Sequence, residues 1–215
     1  MKKHRKTYNV LDKIKQHIYN NLDLYIIVSI FFLIGIIGGV IFFNNIQNDV
    51  QEPVNDYIKN SIESLKNNYH IDTYKLLKQS IINNIIFTIT IWFMGCTVIG
   101  IPLVYGLIAW KGFSLSYTVA SIISYIGVGK GIGFCFFSLL LQNIIIIPIT
   151  LALGVSGNKL YRSIIKDKRK ENIKMEIIRH TLFSLFMSLL LIIASFIETY
   201  MSSNLTQIFV IYMEI

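Results

Sequence analysis

Apolar residues along this chain gather into runs of about 20 or more, the length that crosses a hydrocarbon core roughly 30 Å thick, and three polar stretches separate them. Residues 1–23 are basic and polar. The run 24–43 follows, broken only by Ser29 and its glycines. It is longer than a signal-peptide core and leads into Phe42-Phe43-Asn44-Asn45 instead of a small-residue cleavage site, so it reads as an uncleaved first span. Residues 44–80 form a polar loop in which Val54, Ile58, Ile62, Leu65 and Tyr69 recur at helical spacing after Pro53, predicting an amphipathic helix on the outer surface. Asp72 suits the N-cap of the helix that follows.

From 81 to 126 the chain is almost wholly apolar, enough for two crossings. A lysine at mid-membrane costs about 2.5–3.5 kcal/mol on insertion scales, which puts Lys111 near an interface with Trp110 in an aromatic belt. The expected second span is therefore 81–109, kinked at Pro102, and the third, a short one, 113–126. The glycine-rich stretch 127–133 reads as a tight turn. It lacks the GxxxxGK[ST] spacing of a phosphate loop. The fourth span is 134–153, with Gln142, Asn143 and Pro148 inside it. A basic segment, 154–180, precedes a fifth span, 181–197, closed by Glu198, and a tail, 198–215, without Lys or Arg. The fold class is all-α: an integral membrane protein of about five transmembrane helices, a kinked second span and one amphipathic outer helix, in one membrane domain.

Composition sharpens this picture. Of 215 residues 53% are hydrophobic and only 15% charged, where soluble domains run near a quarter charged, and the mean hydropathy is +0.57. The net charge of +8 collects beside the first span (Lys2 to Lys15) and between the last two (Lys159 to Arg179). Lys and Arg there mark a cytoplasmic side and meet anionic lipid; with no binding module to accompany the charge, a nucleic-acid partner is not expected. Alternation then puts loop 44–80 and the C-terminal tail outside.

Catalytic patterns are missing. His4, His17, His70 and His180 have no metal-ligand spacing, no HExxH or GxSxG occurs, and Ser and His are nowhere adjacent in the apolar runs. Cys96 and Cys135 read as small core residues. No enzyme, metal or cofactor is expected. The polar residues at membrane depth keep two readings. Gln142 and Asn143 either hydrogen-bond between helices or line a polar path with Lys111 or Glu198. Gly35 and Gly39 form a GxxxG that allows close helix approach.

Several motifs stand in order: Trp92-Phe93-Met94-Gly95, Val98-Ile99-Gly100-Ile101-Pro102, Lys111-Gly112, Gly129-Lys130-Gly131, Gln142-Asn143-Ile144-Ile145-Ile146-Ile147-Pro148, and Phe196-Ile197-Glu198-Thr199-Tyr200-Met201-Ser202. As an ordered set they resemble the stage II sporulation protein M family of endospore formers. Leu141 stands where the family commonly has proline. The resemblance implies a non-catalytic septal scaffold for engulfment. Its implied partners are two membrane-anchored peptidoglycan-degrading proteins, stage II sporulation proteins D and P. It points to Gly100, Pro102, Lys111, Gly112, Gln142, Asn143, Pro148, Glu198 and Tyr200 as structural or interaction residues, Glu198 and Tyr200 on the outer contact. Membrane lipids are further partners, and a homo-oligomer is left open. The rival function is the membrane subunit of an ABC-type permease or other transporter.

Overall fold

The computed structural model describes residues 10–46, 48–66, 73–97, 99–166 and 170–212, and among them the chain is helical without a strand. The helices are α1 (Val10–Asn20), α2 (Leu22–Asn45), α3 (Asn48–Lys66), α4 (Thr73–Gly95), α5 (Gly100–Ile126), α6 (Val128–Cys135), α7 (Leu141–Lys166), α8 (Lys170–Ile197) and α9 (Ser203–Tyr212). A π-helical turn, Phe136–Leu140, joins α6 to α7, and a second, Glu198–Ser202, joins α8 to α9. Five helical stretches are long and apolar enough to cross a membrane: Leu22–Asn45, Thr73–Gly95, Gly100–Ile126, Gln142–Ile165 and Ile173–Tyr212.

The most extensive packing in the bundle joins α2 to α5. The two run parallel, since Phe31 stacks on Tyr105 and Phe42 meets Phe113 and Tyr117. Glycines set their separation. A Cβ on Gly35 would overlap the Ala109 carbonyl, one on Gly39 the Ser116 hydroxyl, and one on Gly112 the Phe32 carbonyl. The GxxxG pair thus works with a third glycine on the facing helix, letting backbones approach where lipid supplies no hydrophobic drive. Val28, Phe32, Val104, Ile108, Leu153 and Val155 fill the core beside them.

One end of the bundle is basic. Asp23 at the start of α2 pairs with Arg162 near the end of α7 at 2.5 Å, and His17 of α1 stacks on Phe183 of α8 at 5.8 Å. Lys15, Lys159, Lys174 and Arg179 lie on the elements meeting there. The other end carries α3, α6 and α9 around Ile58, Ile62, Ile122, Phe134 and Val210. Val54, Ile58, Ile62 and Leu65 do form the apolar face of α3, although Pro53 falls in its second turn, not its first.

Several boundaries differ from expectation. The stretch 81–109 is not one kinked span: α4 ends at Gly95, Cys96 and Thr97 turn, and α5 begins at Gly100. Pro102 sits in the first turn of α5, where its missing N–H leaves no bond unmade. A Cβ on Gly100 would strike the Met94 carbonyl, so the tight return requires glycine there. Lys111-Gly112 is consequently not a turn but the middle of α5, and 113–126 is the second half of that helix. In the glycine-rich stretch only Gly127, at φ 92°, breaks the chain; Gly129, Gly131 and Gly133 are helical. The fourth crossing is shifted along the chain, and α7 runs on to Lys166, with Val155, Asn158 and Leu160 buried in what composition marked as a basic segment. Glu198 does not close the fifth span, because the helix continues through the π turn into α9. Asp72, Tyr69 and the first basic residues lie outside the described residues.

Candidate functional site: a charged cavity inside the bundle

Polar side chains interrupt the apolar helices at one level of the bundle. On α4 they are Ser80, Asn83 and Asn84; on α5, Lys111, Ser114 and Thr118; on α7, Gln142 and Asn143. Spacings of three, four and seven put the α4 and α5 sets each on one helix face, while Gln142 and Asn143 are neighbours about 100° apart on α7. Glu198, first residue of the second π turn, closes the far side, and Leu139 of the first π turn lines it as well. Together they enclose a cavity of about 200 Å³. A water needs about 10–15 Å³ of such space, so the volume far exceeds one solvent molecule.

Each π turn adds a residue to the helical winding and swings the following side chains out of register. Such single turns recur at functional sites. Here the two π turns touch one another, and the extra residue in α8–α9 coincides with Glu198 facing inward. Ser80 Oγ donates to Glu198 Oε2. The Gln142 amide nitrogen, oriented toward the carboxylate, reaches Oε2 at 3.0 Å and Oε1 at 2.9 Å. Below, Asn84 Nδ2 donates to Ser195 Oγ at 2.9 Å, and Ser195 Oγ donates to the Leu191 carbonyl at 3.1 Å. Asn143 Nδ2 donates back to the Leu139 carbonyl, within the first π turn, at 2.8 Å.

Lys111 lies eleven residues into α5, about 17 Å along its axis, well inside the span. Its ammonium stands 5.6 Å from the centre of the Phe87 ring, a cation–π contact, and Glu198 attracts it through space. The insertion cost that placed Lys111 at an interface applies to a lysine facing lipid. It is offset here by a polar cavity and an opposite charge, the arrangement in which intramembrane ions are tolerated.

Of the residues singled out in the sequence, Lys111, Gln142, Asn143 and Glu198 meet at this cavity. Gly100, Pro102 and Gly112 shape helix ends and contacts instead. Pro148 is an exposed residue inside α7, and Tyr200 is exposed on the second π turn, stacked on Phe196. Ser80, Asn83, Asn84, Ser114 and Thr118 were missed, although the helical spacing of Ser114 and Thr118 from Lys111, and of Asn83 and Asn84 from Ser80, is visible in the sequence. Ser and His do meet within the bundle: Ser156 Oγ and His180 Nδ1 are 2.8 Å apart, at the basic end and away from the cavity. Gly95 and Gly157 lie against that imidazole, so the pair sits where α4, α7 and α8 pack closely together.

A family model described as Stage II sporulation protein M matches residues 28–203, from the second turn of α2 to the start of α9. No curated protein and no solved structure matches the chain. The matched region takes in five membrane-length helices, both π turns and every residue of the charged cavity, so this multi-pass membrane protein belongs to the stage II sporulation protein M family.

Proposed function

We propose that the protein is a non-catalytic scaffold that gathers peptidoglycan-degrading partners at the membrane during forespore engulfment. The observation that carries this reading is the family match across most of the chain. The form of the molecule agrees with it. Outside the membrane-length helices the longest described element is α3, packed on α9 and α5 at the end away from the basic one. That end is a small platform, suited to holding other proteins. Glu198 is turned inward to Ser80 and Gln142, so docking falls to the exposed Tyr200 on the same π turn and to Phe196, which stacks on it from the end of α8. An exposed aromatic pair supplies apolar area with a polar tip, a composition favoured at interfaces.

The test is affinity purification of the full-length protein from sporulating cells. The scaffold reading expects the membrane-anchored hydrolases, stage II sporulation proteins D and P, in the eluate, and their loss from a Tyr200→Ala, Phe196→Ala variant present at normal levels. The charged cavity favours a second reading, the membrane subunit of an ABC-type permease. Recovery of a cytoplasmic ATPase without hydrolases would select it and reject the scaffold.

A further inference from the structure

The cavity holds two opposite charges that do not close on each other. Among the described residues no ion pair joins Lys111 to Glu198. Each is held by other groups, the ammonium over Phe87 and the carboxylate by Ser80 and Gln142. A purely structural pair at this depth would gain most by direct contact, because attraction grows as distance and dielectric fall. Instead a polar volume separates them, and burying two charges apart is costly unless something completes both.

The unfilled hydrogen-bonding capacity indicates what would complete them. A carboxylate has about four acceptor sites. Ser80 and Gln142 occupy three of them, leaving one beside the cavity for an N–H donor. On the α5 side the Lys111 ammonium and the Ser114 hydroxyl are available to an anion. Gln79 donates to the Asn83 carbonyl oxygen at 3.0 Å, so the Asn83 amide hydrogens remain for the same anion. A simple anion would meet Glu198, and a simple cation would meet Lys111. A group with both charges meets neither conflict.

The position of the mouth indicates where such a group comes from. Asn83, Ser114 and Thr118 are exposed at the bundle perimeter, and their neighbours Ile82, Ile86 and Trp110 are large, exposed and apolar. The cavity therefore opens sideways between α4 and α5, through a surface that faces acyl chains. We propose that it is a binding site for a zwitterion carrying a phosphate and a primary ammonium, the headgroup of an aminophospholipid. Lys111, Ser114 and Asn83 hold the phosphate, Glu198 holds the ammonium, and the acyl chains stay outside along Ile82, Ile86 and Trp110.

Thermal unfolding of the full-length protein in detergent tests this, with phosphatidylethanolamine, phosphatidylglycerol, phosphatidylcholine or free phosphoethanolamine added. Phosphatidylethanolamine is expected to raise the midpoint. Phosphatidylglycerol, which lacks the ammonium, and phosphatidylcholine, whose ammonium has no hydrogen to donate, are expected to leave it unchanged. Lys111→Gln and Glu198→Gln should each weaken the ethanolamine lipid roughly thirtyfold, the usual loss when one member of a buried charged contact is removed. Asn83→Leu, at the exposed rim, provides the same test without disturbing the core. Equal stabilisation by phosphatidylglycerol, or variants that respond like the parent, would overturn the site. Free phosphoethanolamine acting as strongly as the lipid would assign a soluble ligand and overturn the lipid source.

Discussion

Single atoms decide the closest contacts in this bundle. Gly112 is the sharpest case, because a side chain there meets the Phe32 backbone carbonyl, which cannot rotate aside. Gly112→Leu is expected to cost at least the 1–3 kcal/mol or so of ordinary overpacking and to lower the unfolding midpoint in detergent. Gly106→Leu on the same helix meets open space and should leave it unchanged. His17 gives a pH dependence of definite sign. Burial first, and the Lys159 charge second, hold its imidazole below the usual 6.5. The folded state therefore binds the proton less readily than the unfolded one. The docking of α1 is fully stable above about pH 6.5 and weakens as pH falls through 6.5 toward the depressed value. Proteolysis of α1 in the purified protein should rise between pH 8 and pH 5, and His17→Gln should flatten that profile. At this scale the sequence was a partial guide. Gln142 and Asn143 stood out because polar residues are rare at membrane depth, and Lys111 and Glu198 as charges bounding apolar runs. Their serine and threonine neighbours were passed over, since such hydroxyls can bond their own helix backbone, as Thr118 does to Ser114. The contact of Ser156 with His180 depends on two helices meeting and has no local signature.

Hydropathy located the elements and misplaced their ends. Apolar content says how much chain can lie in lipid, not where a helix breaks, and an insertion scale treats Lys111 as though lipid surrounded it. The decisive features were backbone ones: Gly95 and Gly100 on either side of the break, and Pro102 in a position where it begins a helix. A consequence follows for Lys111→Leu. It should leave the boundary between α4 and α5 in place, and accessibility of the native Cys96 to a thiol reagent should be the same in variant and parent. The π turns had no sequence signature, because a one-residue excess shows only against the facing helix. Deleting Met201 should convert the second π turn to ordinary α-helix and rotate α9 by about 100°. Val210 would then leave the cluster with Ile58 and Ile62, while α8 below Glu198 kept its register. Cross-linking of cysteines placed at Leu65 and Gln207, whose side-chain amide meets the Leu65 carbonyl at 3.4 Å, is expected to disappear on the deletion. A pair at Asn84 and Ser195 should still form.

For the molecule as a whole, charge asymmetry and alternation lead to one orientation. The basic end, with Arg162, Lys174 and Arg179, is expected in the cytoplasm and the end built from α3, α6 and α9 outside. In a background lacking Cys96 and Cys135, cysteines at Asn60 and Asn204, both exposed, should react with an impermeant reagent on intact cells. A cysteine at Lys174 should require permeabilisation. The shift of the turn from Lys111 to the residues after Gly95 leaves this orientation unchanged, since it moves a boundary without altering the number of crossings. The parallel pairing of α2 with α5 also bears on how the molecule is made. Parallel neighbours cannot be joined by a short hairpin, and Gly35 meets Ala109, 74 positions later in the chain. At about 5–20 residues per second, the ribosome delivers that partner roughly 4–15 seconds after Gly35 itself. During this interval α2 lies in the bilayer with its glycine groove uncovered. Biogenesis thus includes an obligatory wait, in which the nascent first helix must be kept from pairing with the first helix of another unfinished chain.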